Sequence, residues 1–242
     1  MSRRRFIFLA VLWLAVEFSR AGTTNSFFAQ GLQLNHAGQF PEAAAAFETS
    51  ARAQPASGTL VNLGLAEWQR GHAGAAIRAW EQARWIDPFD RRAAQNLKFA
   101  RMVAQVDAPQ LKWFEAASLW LPPDRWVWLA GASLWLAVGM LTLPTFFRRR
   151  KTGWQQALAA MGLAVFLASM TVNIGVVSRT NLGFVLKNAP LLLTPTREGE
   201  AIATLNAGEP ARCLRARGNY LFIRTANESG WIERGAFGLV NE

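Results

Sequence analysis

The chain has 242 residues, of which 51% are hydrophobic and 17% charged, and 26 Lys and Arg against 16 Asp and Glu give a net charge of +10. A single Cys excludes a disulfide framework and a cysteine-rich zinc site, and two His leave little material for metal chemistry. Eleven Trp beside one Tyr, with a slightly positive mean hydropathy, direct the search to membrane segments first.

Residues 1–21 carry Arg3, Arg4 and Arg5, an apolar run from Phe6 to Val16, and then Ser19, Arg20 and Ala21. This is the layout of a signal peptide, with small residues placed for cleavage after Ala21. Uncut, the segment becomes an N-terminal anchor of the same orientation, so the following domain is expected on the exported side in either case.

Residues 24–88 repeat themselves at an offset of 33. Gly31 matches Gly64, Gly38 matches Gly71, Ala43 matches Ala76, Phe47 matches Trp80, Ser50 matches Ala83, and Pro55 matches Pro88. A period of this size marks stacked helical units, each too thin to bury its own apolar face. The residues 91–102 read as a covering helix, with Ala94, Leu97, Ala100 and Arg101 inward and Asn96 and Lys98 outward, so the helical domain is expected over 24–105.

The pattern of small residues, a large aromatic and a closing proline resembles the tetratricopeptide repeat. That resemblance implies antiparallel helix pairs whose first helices form a concave face for an extended peptide or partner helix. By position, Asn25, Phe28, Leu32, Asn35 and His36, then Val61, Asn62, Leu65, Trp68 and Gln69, line or border it. The Lys and Arg of a carboxylate clamp are mostly replaced by apolar or amide side chains, so the groove is expected to be apolar and neutral. His36 and His72 fall at different repeat positions and make no shared metal site.

Residues 109–125 form an aromatic linker with Trp113, Phe114 and Trp120 ahead of Pro122 and Pro123. Indole rings favour the headgroup level of a bilayer. A short helix over 110–121 would place these rings on one side, either in that interface or against the helical domain. Residues 126–147 and 157–177 then contain no Asp, Glu, Lys or Arg. About 20 residues at ~1.5 Å each cross ~30 Å of hydrocarbon, so both read as transmembrane helices. Between them, in the turn 148–156, stand Arg148, Arg149, Arg150 and Lys151, the cationic short loop expected on the cytoplasmic side. Pro144 is expected to kink the first span, and Asn173 to hydrogen-bond a neighbouring helix or a headgroup.

From residue 183 to 242 the pattern changes to short apolar runs broken by turns, with strands read at 185–186, 191–193, 201–205, 211–214, 221–224 and 231–232. A small closed barrel would remove the strand edges. Gly208 and Glu209, Gly218-Asn219-Tyr220 and Gly230-Trp231-Ile232 resemble a bacterial SH3 domain in their order. Gly208 and Gly230 are expected in turns or bulges, Trp231 as the anchor of the barrel, Tyr220 at the start of a strand, and Cys213 as a small buried side chain.

The whole is therefore expected to be a multidomain membrane protein: all-α tetratricopeptide repeats, a two-helix transmembrane hairpin, and a small all-β SH3-like barrel. The order of these parts resembles the BatE-like tetratricopeptide and SH3 family of bacterial Bat aerotolerance operons. That resemblance implies an inner-membrane scaffold, both folded domains exported, working beside von Willebrand factor A proteins and, indirectly, a MoxR-type ATPase. A second reading is a membrane-anchored sensor whose SH3-like domain binds peptidoglycan peptide. An enzyme is disfavoured, because no paired carboxylates stand near His, no glycine-rich phosphate loop is present, and no Ser/His/Asp motif occurs. No cofactor is implied. Seven of the ten excess charges lie at Arg3–Arg5 and Arg148–Lys151, so the basic balance reports membrane orientation. The folded domains are near neutral, which removes nucleic acid from the expected partners.

Overall fold

The computed structural model describes residues 26–146 and 152–241. The signal expected at 1–21 and the cations Arg148–Lys151 lie outside the described residues.

Helix α1 covers residues 26–36, followed by α2 (Phe40–Ala53), α3 (Ser57–Gln69), α4 (Ala73–Ile86) and α5 (Arg91–Ala104). Alanine dominates α2 and α4, the residue type with the least helical cost, and Pro41 sits in the first turn of α2, where its missing N–H loses nothing. Asp90 starts α5 by accepting from the backbone N–H groups of Arg92 and Ala93 at 2.9 and 3.2 Å. The 33-residue offset has a counterpart in packing. The fully buried Phe47 ring lies against Gly31, and the fully buried Trp80 indole lies against Gly64 and donates to the Val61 carbonyl at 3.1 Å. A Cβ at either glycine would overlap the aromatic ring, so glycine is what lets the helices approach.

The inner face of α5 differs from the expected one. Leu97 and Ala100 are buried as expected, but Ala93 takes the place of Ala94, which is exposed, and Phe99, Met102 and Val103 are at the surface. The β unit covers this face: Leu182, Phe184 and Val240 share one apolar core with Leu97, Ala100, Ile77 and Trp80.

After a short α6 (Trp113–Ala117) and a 3-10 turn (Ser118–Trp120) come α7 (Pro123–Phe146) and α8 (Gly153–Arg179). Both are long and apolar enough to cross a membrane; α7 starts three residues before the limit read from the sequence, and α8 extends beyond its limits at both ends. They pack along each other, with Gly162 of α8 against Ser133 and Ala137 of α7. Asn173 donates to the Ser169 carbonyl at 2.9 Å and, at 3.4 Å, to that of Trp126 on α7. Pro144 lies within α7. The aromatic linker packs on α8, where the Phe114 carbonyl meets Gly175, leaving Trp113 and Trp120 outward.

The strands are β1 (Leu182–Val185), β2 (Ala189–Leu192), β3 (Ala201–Leu205), β4 (Pro210–Arg217), β5 (Tyr220–Arg224), β6 (Ser229–Glu233) and β7 (Phe237–Leu239). They form one antiparallel sheet in the order β3-β2-β6-β5-β4-β1-β7. The expected closed barrel is not formed, since β3 and β7 do not pair and remain the two edges. At the β7 edge a helix takes over that role: Arg78 of α4 donates its Nε–H to the Leu239 carbonyl at 2.8 Å. Val185, Leu191, Ile223 and Ile232 make the core of the sheet.

Candidate functional site

Two features stand out, an apolar surface on the helical layer and a buried charge cluster where the helical layer, α6, α8 and the sheet meet. The residues read as a partner groove divide between surface and core. Phe28 and Leu32 are half-buried and pack in the first helical layer, Phe28 5.9 Å from Phe47 between ring centroids. Asn35 and Asn62 are half-buried, while His36, Leu65 and Gln69 are exposed. Val61 does not line a groove: it is 1% exposed, because α4 presses Trp80 onto it. Asn25 lies outside the described residues.

Trp68 links α3 to its neighbours, with its ring 6.1 Å from Trp80 and 5.6 Å from Phe99 of α5. Leu65, one turn before it, is exposed, and beside it Phe99 is 50% and Met102 70% exposed. Side chains three apart on each helix thus form an apolar surface running from α3 to α5. A separate cleft of about 730 Å³ lies between α2, α3, α4 and the C-terminal residues, with Leu60, Leu63, Trp85 and Val240 among its apolar walls and Arg52 and Gln82 at its polar ones.

The charge cluster is centred on Glu115 of α6, which is 0% exposed. Its carboxylate accepts from the Ser178 hydroxyl at 2.5 Å, the Lys112 backbone N–H at 2.8 Å and Arg212 Nη2 of β4 at 2.7 Å. Burial opposes its charge, but the Ser178 hydroxyl, the Lys112 amide and the Arg212 guanidinium overcome that and hold the carboxyl below its ordinary value. Beside it, Arg179 at the end of α8 donates to Ser118 Oγ at 2.9 Å and lies over the Trp85 ring of α4, 4.7 Å from its centroid. Arg101 of α5 and Glu81 of α4 make a further buried ion pair. The cluster therefore joins α6, α8 and β4 through charged hydrogen bonds, and the helical layer through the Arg179–Trp85 contact.

Sequence reading did not find this cluster. Its signals were two: Glu115, an acid among the aromatic residues of the linker, and Arg179, the cation that ends an apolar run. Neither shows its partner, since Arg212 stands 97 residues after Glu115.

In the sheet, Gly208 has φ +91°, a left-handed turn conformation, and faces Ile77 of α4. Gly230 lies in β6 against Leu191 and the Leu192 carbonyl, where a side chain would collide. Trp231 is not the core anchor. Strand alternation points Gly230 and Ile232 inward and Trp231 outward, half-buried against Phe222 at 5.2 Å. Tyr220 opens β5 half-buried, and Cys213 is half-buried in β4. Among the described residues no group of three or more His, Cys, Asp and Glu could hold a metal ion. His72 is paired with Glu67 at 2.8 Å.

Comparison of the chain with protein-family models, curated proteins and solved structures finds no match in any of the three.

Proposed function

We propose that the chain is a non-enzymatic membrane scaffold. In this reading α7 and α8 cross the bacterial inner membrane as a hairpin, the helical layer is a tetratricopeptide unit, and the sheet is an open SH3-like domain. Both folded units stand on the exported side, and the helical layer binds a partner protein. The observation that carries the binding role is the apolar surface of Leu65, Trp68, Phe99 and Met102, left open where α5 ends the helical stack. Membrane insertion is supported by the exposed apolar surface of both long helices, little of which the rest of the chain covers. Outward Trp113 and Trp120 at one end and Trp154 at the other suit two headgroup levels.

The resemblance to the BatE-like family makes a von Willebrand factor A protein the expected partner. A photo-crosslinking residue at Phe99, in intact membranes, is expected to capture a von Willebrand factor A protein that the same residue at Arg197 of the β unit does not. Equal capture at the two positions would defeat the proposal.

A further inference from the structure

Strand β4 outruns the strand beside it. β1 leaves the end of α8 and runs antiparallel to α4: Trp85 of α4 meets Arg179, while Gly74, about 16 Å earlier on that helix, packs on the Val185 carbonyl at the end of β1. β4 pairs antiparallel with β1, so it runs back toward the end of α8. Its Arg212 stands opposite Leu182, and the Cys213 N–H donates to the Asn181 carbonyl at 2.8 Å, just after α8 ends. Residues 214–217 then continue for about 13 Å past that level, paired with β5 alone.

The hairpin tip so formed is basic. Arg215 and Arg217, two apart on the strand, share a face. Arg234 stands beside them, because its backbone N–H donates to the Asn219 carbonyl in the turn at 2.9 Å. All three are exposed, and none is in an ion pair among the described residues. Glu233, the acid among them, accepts from Asn219 Nδ2 at 3.1 Å. Leu214 falls outside the pairing with β5 and is exposed. At the junction Arg212, just before this tip, holds Glu115 of α6, whose neighbours Trp113 and Trp120 point outward. The tip thus lies at the same end of α7 and α8 as the rings that suit a headgroup level.

Arginines held close to an anionic leaflet are drawn to its phosphates, and an exposed leucine among them adds apolar contact. We propose that the β4–β5 tip docks on the anionic headgroup layer of the exported leaflet through Arg215, Arg217 and Arg234. Docking gives the β unit a second hold on the bilayer besides α8, and so sets how the helical layer presents its apolar surface. This rests on α7 and α8 crossing the membrane, and not on which protein the apolar surface captures.

The test uses the full chain in vesicles, with a fluorescent amino acid at Ala216 of the tip, at His72 by the far end of α4, or at Val138 within α7. Nitroxide lipids quench it from the headgroup level or from the acyl chains. In mixed phosphatidylglycerol and phosphatidylcholine, Val138 is expected to be quenched from the acyl chains. Ala216 is expected to be quenched from the headgroup level about twofold more than His72, or beyond. That excess should disappear in phosphatidylcholine alone, and in the doubly substituted Arg215→Gln, Arg217→Gln chain. The lipid comparison needs no arginine substitution, so it decides the matter even if that variant folds poorly. If Val138 is quenched while Ala216 matches His72, or if Ala216 is quenched as strongly in neutral vesicles, the tip does not dock on anionic lipid. No quenching at Val138 would instead overturn the crossing of α7 and α8, and this proposal with it.

Discussion

The helical layers and the junction are buried to a similar depth by different means. In α1–α5 the helices approach through an aromatic ring against a glycine, Phe47 on Gly31 and Trp80 on Gly64. At the junction the segments are joined by charged hydrogen bonds, Ser178 and Arg212 to Glu115 and Arg179 to Ser118. Apolar packing is non-directional and tolerates compensating changes, whereas a buried carboxylate needs each of its donors in place. The helical layer can therefore be built from a repeated local pattern. The junction needs four distant segments to arrive together, and it fixes how the folded units stand on α8.

The largest effect should come from the apolar side of this contrast. Trp80→Ala removes a fully buried indole shared by the helical layer and the β unit, and is expected to cost about 3–5 kcal/mol in denaturant unfolding followed by circular dichroism. A loss under 1 kcal/mol would mean that the two units do not share a core. Glu115→Gln weakens the charged side, with an expected cost of about 1.5–3 kcal/mol, because the partly exposed Arg212 can turn to water. Adding Arg212→Met should recover part of that loss, since a removed pair costs less than a broken one. Strictly additive losses would show that the two residues do not interact.

Acid should act on the same side. The carboxyls of Glu115 and Asp90 are held below their ordinary values of 4.5 and 3.8. Such groups stabilise the fold fully above those values, and the contribution is lost as pH falls through the lower folded ones. Stability of the parent is thus expected to drop below about pH 4.5 more steeply than that of Glu115→Gln. Identical acid profiles would contradict a charged Glu115. Smaller still, Asp90→Ala removes the cap of α5 and should cost about 1 kcal/mol. Met102→Ser, at an exposed site, should change stability by less than about 0.5 kcal/mol while reducing partner capture at Phe99.

What could be read in advance follows the same division. The helices over 24–105 and both long apolar helices rest on local periodicity, and Gly31, Gly64, Phe47 and Trp80 announce their contacts by spacing. Six of the seven strands were legible as runs of apolar residues between turns, while β7 (Phe237–Leu239) was not read as one. Their arrangement was not legible, because strand order rests on contacts between distant segments, as does the Arg78 cover of the β7 edge, 161 residues before Leu239. The same non-locality hid the position of Val61, which is buried where its carbonyl accepts from the Trp80 indole. Trp231 misled because glycine followed by tryptophan marks a strand without saying which face is inward.

The account stands on α7 and α8 crossing a membrane with both folded units at the same end. The shared core of α4, α5 and β1 and the links of α6 and β4 to the end of α8 leave no other arrangement. Paired topology reporters test this directly, one fused after Arg150 and one after Glu242. The account predicts a cytoplasmic signal from the first and an exported signal from the second, and signals from the same side would contradict it.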